Sequence, residues 1–143
     1  LNINASENVV DVKIVYSDLF RNLPEEKFDF IVLNPPYYKK DASSERELAW
    51  FCGSKGEYFE GLFEGIGLYM HETTEVLMVL CDGCDLDMIK AMARKEGYAM
   101  NLLCSKKTLI ETNFIFNIKK LLALSRLISA TVPTIFPGGV LNE

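Results

Sequence analysis

The sequence predicts a single α/β domain whose sheet is largely parallel. The chain has 143 residues, of which 49% are apolar, so it is long enough for one domain with a core and too short for two. Short apolar runs typical of strands alternate with segments of helical periodicity, and this alternation favours parallel strands joined by helices. No apolar run approaches the roughly 20 residues of a membrane-spanning helix, so no membrane partner is expected.

Two strands are predicted in the first quarter of the chain. Residues 11–16 read DVKIVY, where β-branched residues alternate with polar ones before a polar turn. Residues 28–33 read FDFIVL, a nearly continuous apolar run that is typical of a central parallel strand buried on both faces. That strand must end at Asn34-Pro35-Pro36, because proline lacks an N–H group and forces the preceding residue into extended geometry.

The rest of the chain continues the alternation of helices and strands. Residues 38–47 are polar and indicate a loop, while apolar side chains at helical spacing predict a helix over residues 55–70. The later predictions are a buried strand over residues 75–81, a helix capped by Asp85 and closed by Gly97, strands over 98–105 and 109–118 with the last antiparallel, and an amphipathic helix over 119–131.

The charge distribution disfavours a general nucleic-acid binder. The net charge is −5; residues 1–100 carry ten basic and eighteen acidic groups, and residues 101–143 carry five and two, so an anionic partner would favour the C-terminal end. The first residues lack the basic-then-apolar pattern of a secretion signal. We therefore expect a cytoplasmic protein whose four cysteines are reduced thiols.

Several residues of reactive type are predicted to be structural. Cys81 and Cys84 have the spacing of metal ligands, but a tetrahedral zinc site needs two more ligands and His71 is the only histidine, so no metal site is predicted. We interpret Trp50 as a core residue and His71 as a solvated residue in a surface connection.

The residues that point to chemistry are Asn34-Pro35-Pro36-Tyr37. Ligands bind beyond the carboxyl ends of the strands in open parallel sheets, and this tetrapeptide directly follows the most apolar predicted strand. The Asn34 side-chain oxygen and the Pro35 carbonyl are two acceptors that a rigid Pro-Pro turn can direct at both N–H groups of one planar nitrogen. Holding both protons favours a pyramidal nitrogen with a free lone pair, and the Tyr37 ring offers a face for stacking.

With this tetrapeptide the chain resembles the class I S-adenosylmethionine (SAM) methyltransferases that carry a [DNS]-P-P-[YFW] signature, and most closely the HemK-like glutamine methyltransferases of release factors. Ser17-Asp18-Leu19-Phe20 looks like their acidic loop at the adenine of SAM, and Ala49-Trp50-x-x-Gly53-x-x-Gly56 looks like their Gly-rich approach to the next helix. Lys106-Lys107 and Glu111 fall where the family has its closing hairpin.

The resemblance covers about residues 2–120 and leaves 121–143 as a C-terminal helix and tail. It implies a Rossmann-like, mostly parallel sheet with strand order 3-2-1-4-5-7-6 and an antiparallel closing strand. The family's glycine-rich turn after its first strand, and the acid that closes its second strand, are not found in these residues. We therefore expect an N-terminally incomplete domain that binds SAM weakly and is inactive on its own.

The resemblance also assigns roles to individual residues. Asn34 would contact both SAM and substrate, Pro35-Pro36-Tyr37 would form the substrate clamp, and Asp18 and Leu19 would touch the cofactor. Leu19 stands where the family often has an aromatic residue.

The substrate and the activity leave alternatives open. The first expectation is the glutamine amide of a protein such as a release factor, because residues 48–57 resemble those of the glutamine methyltransferases and the acidic composition suits nucleic acid poorly. The second is the amino group of adenine in DNA or RNA, which would require a flipped base against Tyr37. A third reading is a non-catalytic remnant or partner subunit that keeps the clamp without the cofactor half.

Overall fold

A computed structural model describes residues 7–8 and 10–121, which form a four-stranded mixed sheet with two α-helices. Two short 3-10 helices, Glu47–Ala49 and Ile66–Tyr69, lie on either side of the first α-helix. The main elements in chain order are β1 (Phe28–Leu33), α1 (Glu57–Gly65), β2 (Met70–Cys81), α2 (Leu86–Lys95), β3 (Tyr98–Lys107) and β4 (Thr112–Lys120).

The strands lie in the order β1-β2-β4-β3. β1 and β2 are parallel, whereas β4 is antiparallel to both β2 and β3. This order equals the 4-5-7-6 part of the order that the resemblance implied, and the antiparallel closing strand is confirmed. Because Leu33 pairs with Met78 and Cys81 pairs with Asn113, the carboxyl ends of β1 and β2 and the β3–β4 turn meet at one edge.

The predicted strand over residues 11–16 is wrong. Residues 10–17 have no regular secondary structure, and their apolar side chains stay in solvent, with Ile14 48% and Tyr16 91% exposed. Backbone N–H and C=O groups of a strand need a hydrogen-bonded neighbour, and no strand among residues 10–121 pairs with this segment.

β1 has the predicted bounds and the predicted parallel pairing, but it is not buried on both faces. Ile31 and Leu33 pack against the core, whereas Phe30 is 68% and Val32 71% exposed. Within the part of the chain that the structure describes, β1 is an edge strand. The apolar run therefore predicted a strand correctly and its central position wrongly, because the outer face has no cover among these residues.

The core contains side chains of both helices and one face of the sheet. Alternate residues of β2 enter it, namely Val76, Met78 and Leu80, and all three are fully buried. The predicted helix over 55–70 is found as α1 followed by the second 3-10 helix, and its Phe59 and Phe63 are core residues as expected.

Two local predictions around this core are wrong, and part of a third lies outside the described residues. Trp50 is 56% exposed and is not a core residue. His71 lies within β2 rather than in a surface connection, and its ring contacts Asp29 Oδ1 at 3.2 Å and Thr73 Oγ1 at 3.0 Å. The predicted helix over 119–131 begins inside β4, and from residue 122 onward it lies outside the described residues.

The helix signals around α2 are confirmed. The Asp85 carboxylate accepts a hydrogen bond from the Met88 N–H at 3.1 Å, which satisfies one of the free donors of the first turn. Gly97, just past the end of α2, has φ 82°, the left-handed conformation that glycine adopts most readily. No helix among residues 10–121 is both long and apolar enough to cross a bilayer.

Candidate functional site

The Asn34-Pro35-Pro36-Tyr37 turn leaves β1 at its carboxyl end and is fixed by backbone hydrogen bonds. The N–H groups of Tyr37 and Tyr38 both donate to the Trp50 carbonyl, at 3.2 and 3.0 Å. The Cys52 N–H then donates to the Tyr38 carbonyl at 2.9 Å. Since the two prolines cannot donate, the first amides after them fix the turn to the segment that precedes α1.

The predicted clamp requires two free acceptors, the Asn34 side-chain oxygen and the Pro35 carbonyl. Neither forms a hydrogen bond within the described part of the chain. Asn34 is exposed, and its side chain forms no hydrogen bond with another described residue. Pro35 is buried as a residue, and its carbonyl accepts no hydrogen bond from those residues either. Both acceptors therefore keep their hydrogen-bonding capacity unused within this part of the chain.

Tyr37 links the turn to the end of β2. Its ring is half-buried against the core and meets the Tyr38 ring edge-on, with centroids 4.8 Å apart and planes at 64°. Burial raises the pKa of Tyr37 to about 12, and the nearby Cys81, Tyr38 and Glu111 side chains add to this rise. Sequence reasoning expected a stacking face here and did not anticipate that Cys81, from the end of β2, would lie near this side chain.

A cavity of about 810 Å³ opens beside the turn. Asp18 and Leu19, the predicted cofactor residues, line it together with Pro36 of the predicted clamp. Asn34, Pro35 and Tyr37 are not among its lining residues. The structure thus brings three of the six predicted site residues to one cavity and leaves the other three beside it.

The cavity lining is acidic. The Ser54 backbone N–H donates to the Asp41 carboxylate at 2.8 Å. Hydrogen bonds from the backbone and side chain of Ser54 hold the pKa of Asp41 below its usual value. The lining contains no Lys or Arg among the described residues, but it contains the carboxylates Asp18, Asp41, Glu45 and Glu57. Apolar side chains also face it, namely Leu19, Leu48, Phe51 and Tyr58. This combination fits a ligand with a flat apolar part and a cationic group.

The acidic loop that carries Asp18 is a tight turn. The Arg21 N–H donates to the Asp18 carbonyl at 3.1 Å, and the Arg21 guanidinium lies 3.7 Å from the Asp18 carboxylate. Leu19 has φ 48°, a left-handed conformation that is unusual for a residue with a branched side chain. Its side chain packs against the core, which holds the turn in this conformation and keeps Asp18 at the cavity.

Two glycines shape the approach to α1, as the resemblance implied. Gly53 and Gly56 have φ 90° and 83°, and Gly56 forms the N-cap of α1. A Cβ atom at Gly56 would lie 2.7 Å from the end of the Met88 side chain. The segment that closes the cavity therefore depends on backbone conformations that other residues adopt at a cost.

Replacing Gly56 by alanine is expected to destabilise the protein by about 1–2 kcal/mol, because a left-handed conformation is unfavourable once a Cβ is present. The midpoint of urea unfolding measures this effect. Gly83→Ala is the matched control: Gly83 has no positive φ and its added Cβ would meet nothing closer than 3.3 Å. An equal shift of the midpoint in both variants would contradict the argument.

The β3–β4 hairpin reaches the same edge of the sheet. Asp82 and Thr112 join it to the end of β2, with the Asp82 N–H donating to the Thr112 carbonyl and the Thr112 N–H to the Asp82 carboxylate, both at 3.0 Å. Glu111 lies close enough to Tyr37 to raise its pKa. Lys106 and Lys107 are exposed at the end of β3.

Sequence reasoning missed the residues of the site that lie outside the motif. Glu45 and Asp41 lie in the polar loop after the motif, which gave no sign that it would line a cavity. Cys81 was expected to be a reduced thiol with no role in the site. The described residues contain no group of three or more His, Cys, Asp or Glu side chains that could hold a metal ion. The available signal was topological, since neighbouring parallel strands end at the same edge.

Comparison with known proteins gives matches to methyltransferases. Residues 1–53 match the family model of the methyltransferase small domain. A methyltransferase from Pyrococcus furiosus superposes with a TM-score of 0.61 and 22% identity, covering 84% of this chain and 56% of that one. The chain has a methyltransferase fold.

Two further solved structures share this fold. One is the E. cuniculi Mtq2–Trm112 complex, described as responsible for the methylation of the eRF1 translation termination factor, with a TM-score of 0.56 and 23% identity over 83% of this chain and 68% of that one. The other is the ribosomal protein L11 methylase of Lactobacillus delbrueckii subsp. bulgaricus, with a TM-score of 0.55 and 16% identity over 85% and 51%. The chain thus spans about half to two thirds of the length of these proteins.

Proposed function

We propose that the protein is a SAM-dependent N-methyltransferase and that its substrate is the side-chain amide of a glutamine in a protein such as a release factor. The observation that carries this proposal is the Asn34-Pro35-Pro36-Tyr37 turn at the carboxyl end of β1, in a methyltransferase fold, with both acceptor oxygens free of partners among the described residues. The similarity to the Mtq2–Trm112 complex, whose described role concerns a translation termination factor, supports a protein substrate of that kind.

The residues beside the turn fit the cofactor. SAM combines a flat base with a cationic sulfonium, and the cavity combines apolar walls with four carboxylates. Asp18 and Leu19 would hold the base side of SAM, and Asn34 would lie between cofactor and substrate. When bound, SAM supplies an electrophilic methyl group on sulfur.

The chain's own contribution is to prepare the nitrogen that accepts this methyl group. An amide nitrogen is a weak nucleophile because its lone pair is delocalised into the carbonyl. The Asn34 side-chain oxygen and the Pro35 carbonyl would each accept one of its two N–H groups, which favours a pyramidal nitrogen and frees the lone pair. No residue of the turn has to be a strong base, since the extra proton can leave after transfer.

The rigidity of the turn matters for this role. Two backbone hydrogen bonds to the Trp50 carbonyl and the packing of Tyr37 against the core hold the turn in place. An acceptor pair that is fixed before the substrate arrives loses little entropy on binding and gains most as the nitrogen changes geometry. A flexible loop with the same residues would hold the amide less effectively.

A methyl-transfer assay with tritiated SAM tests the proposal. Since residues 1–143 are expected to be inactive on their own, the longest natural form of the protein is incubated separately with release factor, DNA and RNA, and label in the release factor is located by peptide mass spectrometry. We expect label on a glutamine of the release factor and none on nucleic acid. Label on adenine alone would replace the proposed substrate with a base, and no label on any substrate under conditions of demonstrated SAM binding would overturn the proposed reaction.

A further inference from the structure

Cys81 and Cys84 form a close pair of thiols at the end of β2. The Cys84 N–H donates to the Cys81 carbonyl at 3.1 Å, so residues 81–84 form a β-turn whose end Cα atoms lie within roughly 7 Å of each other. Disulfides join Cα atoms about 4.4–6.8 Å apart. The backbone of this turn is therefore compatible with a disulfide between its first and last residues.

The two sulfur atoms also face each other. Their Sγ atoms are 3.7 Å apart, and the Cys81 N–H donates to the Cys84 sulfur at 3.2 Å. Both residues are free thiols in the structure. Since a disulfide bond is about 2.05 Å long, a movement of less than 2 Å shared by two side chains would bring the sulfurs to bonding distance.

Accessibility differs between the two thiols and sets the order of reaction. Cys81 is buried and Cys84 is half-buried, so a reagent in solution meets Cys84 first. Burial raises the pKa of Cys84 to about 12, which keeps it protonated and slow to react at neutral pH. The pair therefore stays as two thiols without an oxidant, and disulfide formation is slow when an oxidant is present.

This pair is connected to the candidate site. A Cβ atom added at Gly83, between the two cysteines, would lie 3.3 Å from the Tyr38 ring, and that ring meets the Tyr37 ring at 4.8 Å between centroids. Cys81 is also close enough to Tyr37 to contribute to its raised pKa. A bond to Cys84 would take the thiol hydrogen from Cys81 and draw its sulfur toward Cys84. Oxidation of the pair thus changes the surroundings of Tyr37 at the end of β2.

We propose that Cys81 and Cys84 are an oxidation site that forms a reversible disulfide beside Tyr37. The co-reactant is a low-molecular-weight disulfide such as oxidised glutathione. The Cys84 thiolate attacks one of its sulfurs and expels one glutathione thiolate; the Cys81 thiolate then attacks the Cys84 sulfur and expels the second. Two cysteine thiols are oxidised, one glutathione disulfide is reduced to two thiols, and the two protons pass to the leaving thiolates.

Thiol counting tests the bond itself, and this test does not depend on the proposed function. The chain with Cys104→Ser, which removes the exposed cysteine, is incubated with oxidised glutathione, quenched with acid, and alkylated in denaturant. We expect two of the remaining thiols to be lost, a mass decrease of two hydrogens in the peptide that contains residues 81–84, and full recovery with dithiothreitol. Adding Cys84→Ser to the same background should abolish the mass decrease.

Three outcomes would overturn the bond. The first is a disulfide between Cys84 and Cys52, which is buried nearby. The second is a glutathione adduct that persists on Cys84, because it would show that Cys81 cannot reach it. The third is retention of all thiols after long incubation with excess oxidised glutathione.

Tyrosine titration tests the link to Tyr37. The ultraviolet absorbance of phenolate is followed with pH for the reduced and oxidised chain, each compared with its Tyr37→Phe counterpart. In the reduced chain Tyr37 should ionise near pH 12. In the oxidised chain its pKa should be lower, because Cys81 no longer carries a thiol that can ionise beside it, and should stay above the ordinary value, because burial is the main cause of the rise. An unchanged Tyr37 titration in a chain shown to contain the disulfide would overturn the link. Only an effect on methyl transfer would rest on the proposed function.

Discussion

Replacing Asn34 by alanine is expected to lower the rate of methyl transfer by roughly 10²–10³-fold, the range measured when one fixed hydrogen-bonding group is removed from a catalytic site. The loss should appear in kcat, because the acceptor is used most fully when the nitrogen becomes pyramidal. SAM affinity should change by no more than several-fold. Initial rates with tritiated SAM and equilibrium binding of SAM measure the two effects separately.

The structure provides controls for this variant. Asn34 is exposed and has no partner among the described residues, so its removal should leave the unfolding midpoint unchanged. Asn34→Asp keeps the side-chain acceptors and should retain more activity than the alanine variant. Asn101→Ala, at an exposed position of the edge strand β3, should be fully active. Wild-type turnover in Asn34→Ala would rule out the two-acceptor mechanism.

The sequence predicted those parts of the fold that depend on local signals. β1 ends where Asn34-Pro35-Pro36 begins, and α2 begins at the Asp85 cap and closes before Gly97. These boundaries follow from the missing N–H groups of proline, the capping of free helix donors and the left-handed freedom of glycine. Each is set within a few residues, so no knowledge of the tertiary structure is needed.

Two predictions that depend on distant neighbours failed. Residues 11–16 have the alternation of a strand, but no described strand pairs with them. FDFIVL has the composition of a central strand, but its outer face is open in the part of the chain that the structure describes. A pattern of apolar residues indicates which face of a segment can be buried. It does not indicate whether a neighbouring element is present to cover that face.

The candidate site divides in the same way. The tetrapeptide was recognisable because its chemistry lies in four consecutive residues. The cavity beside it combines Asp18, Asp41 and Glu57 from three separate segments. Cys81, which lies near Tyr37, comes from the far end of β2. Spacing along the chain contains no direct record of such contacts, which arise from the parallel pairing of β1 with β2.

Replacing Phe59 by alanine is expected to destabilise the protein by about 3–5 kcal/mol, because the substitution removes a large buried side chain and leaves a cavity. Phe59 lies in α1 and is fully buried between the Tyr58 and Phe63 rings, at centroid distances of 5.5 and 6.4 Å. That loss is a large fraction of the 5–15 kcal/mol that stabilises a typical domain. Urea unfolding followed by circular dichroism gives the change in free energy.

The matched control for Phe59 is Leu68→Ala in the neighbouring 3-10 helix, where the side chain is 56% exposed and the expected change is about 0.5 kcal/mol or less. If Phe59→Ala does not fold, Phe59→Leu fills most of the space and should give an intermediate loss. α1 follows directly from Gly53 and Gly56 at the cavity, so loosening it should also weaken any ligand bound there. Equal stability of Phe59→Ala and Leu68→Ala would show that α1 is not part of the core that supports the site.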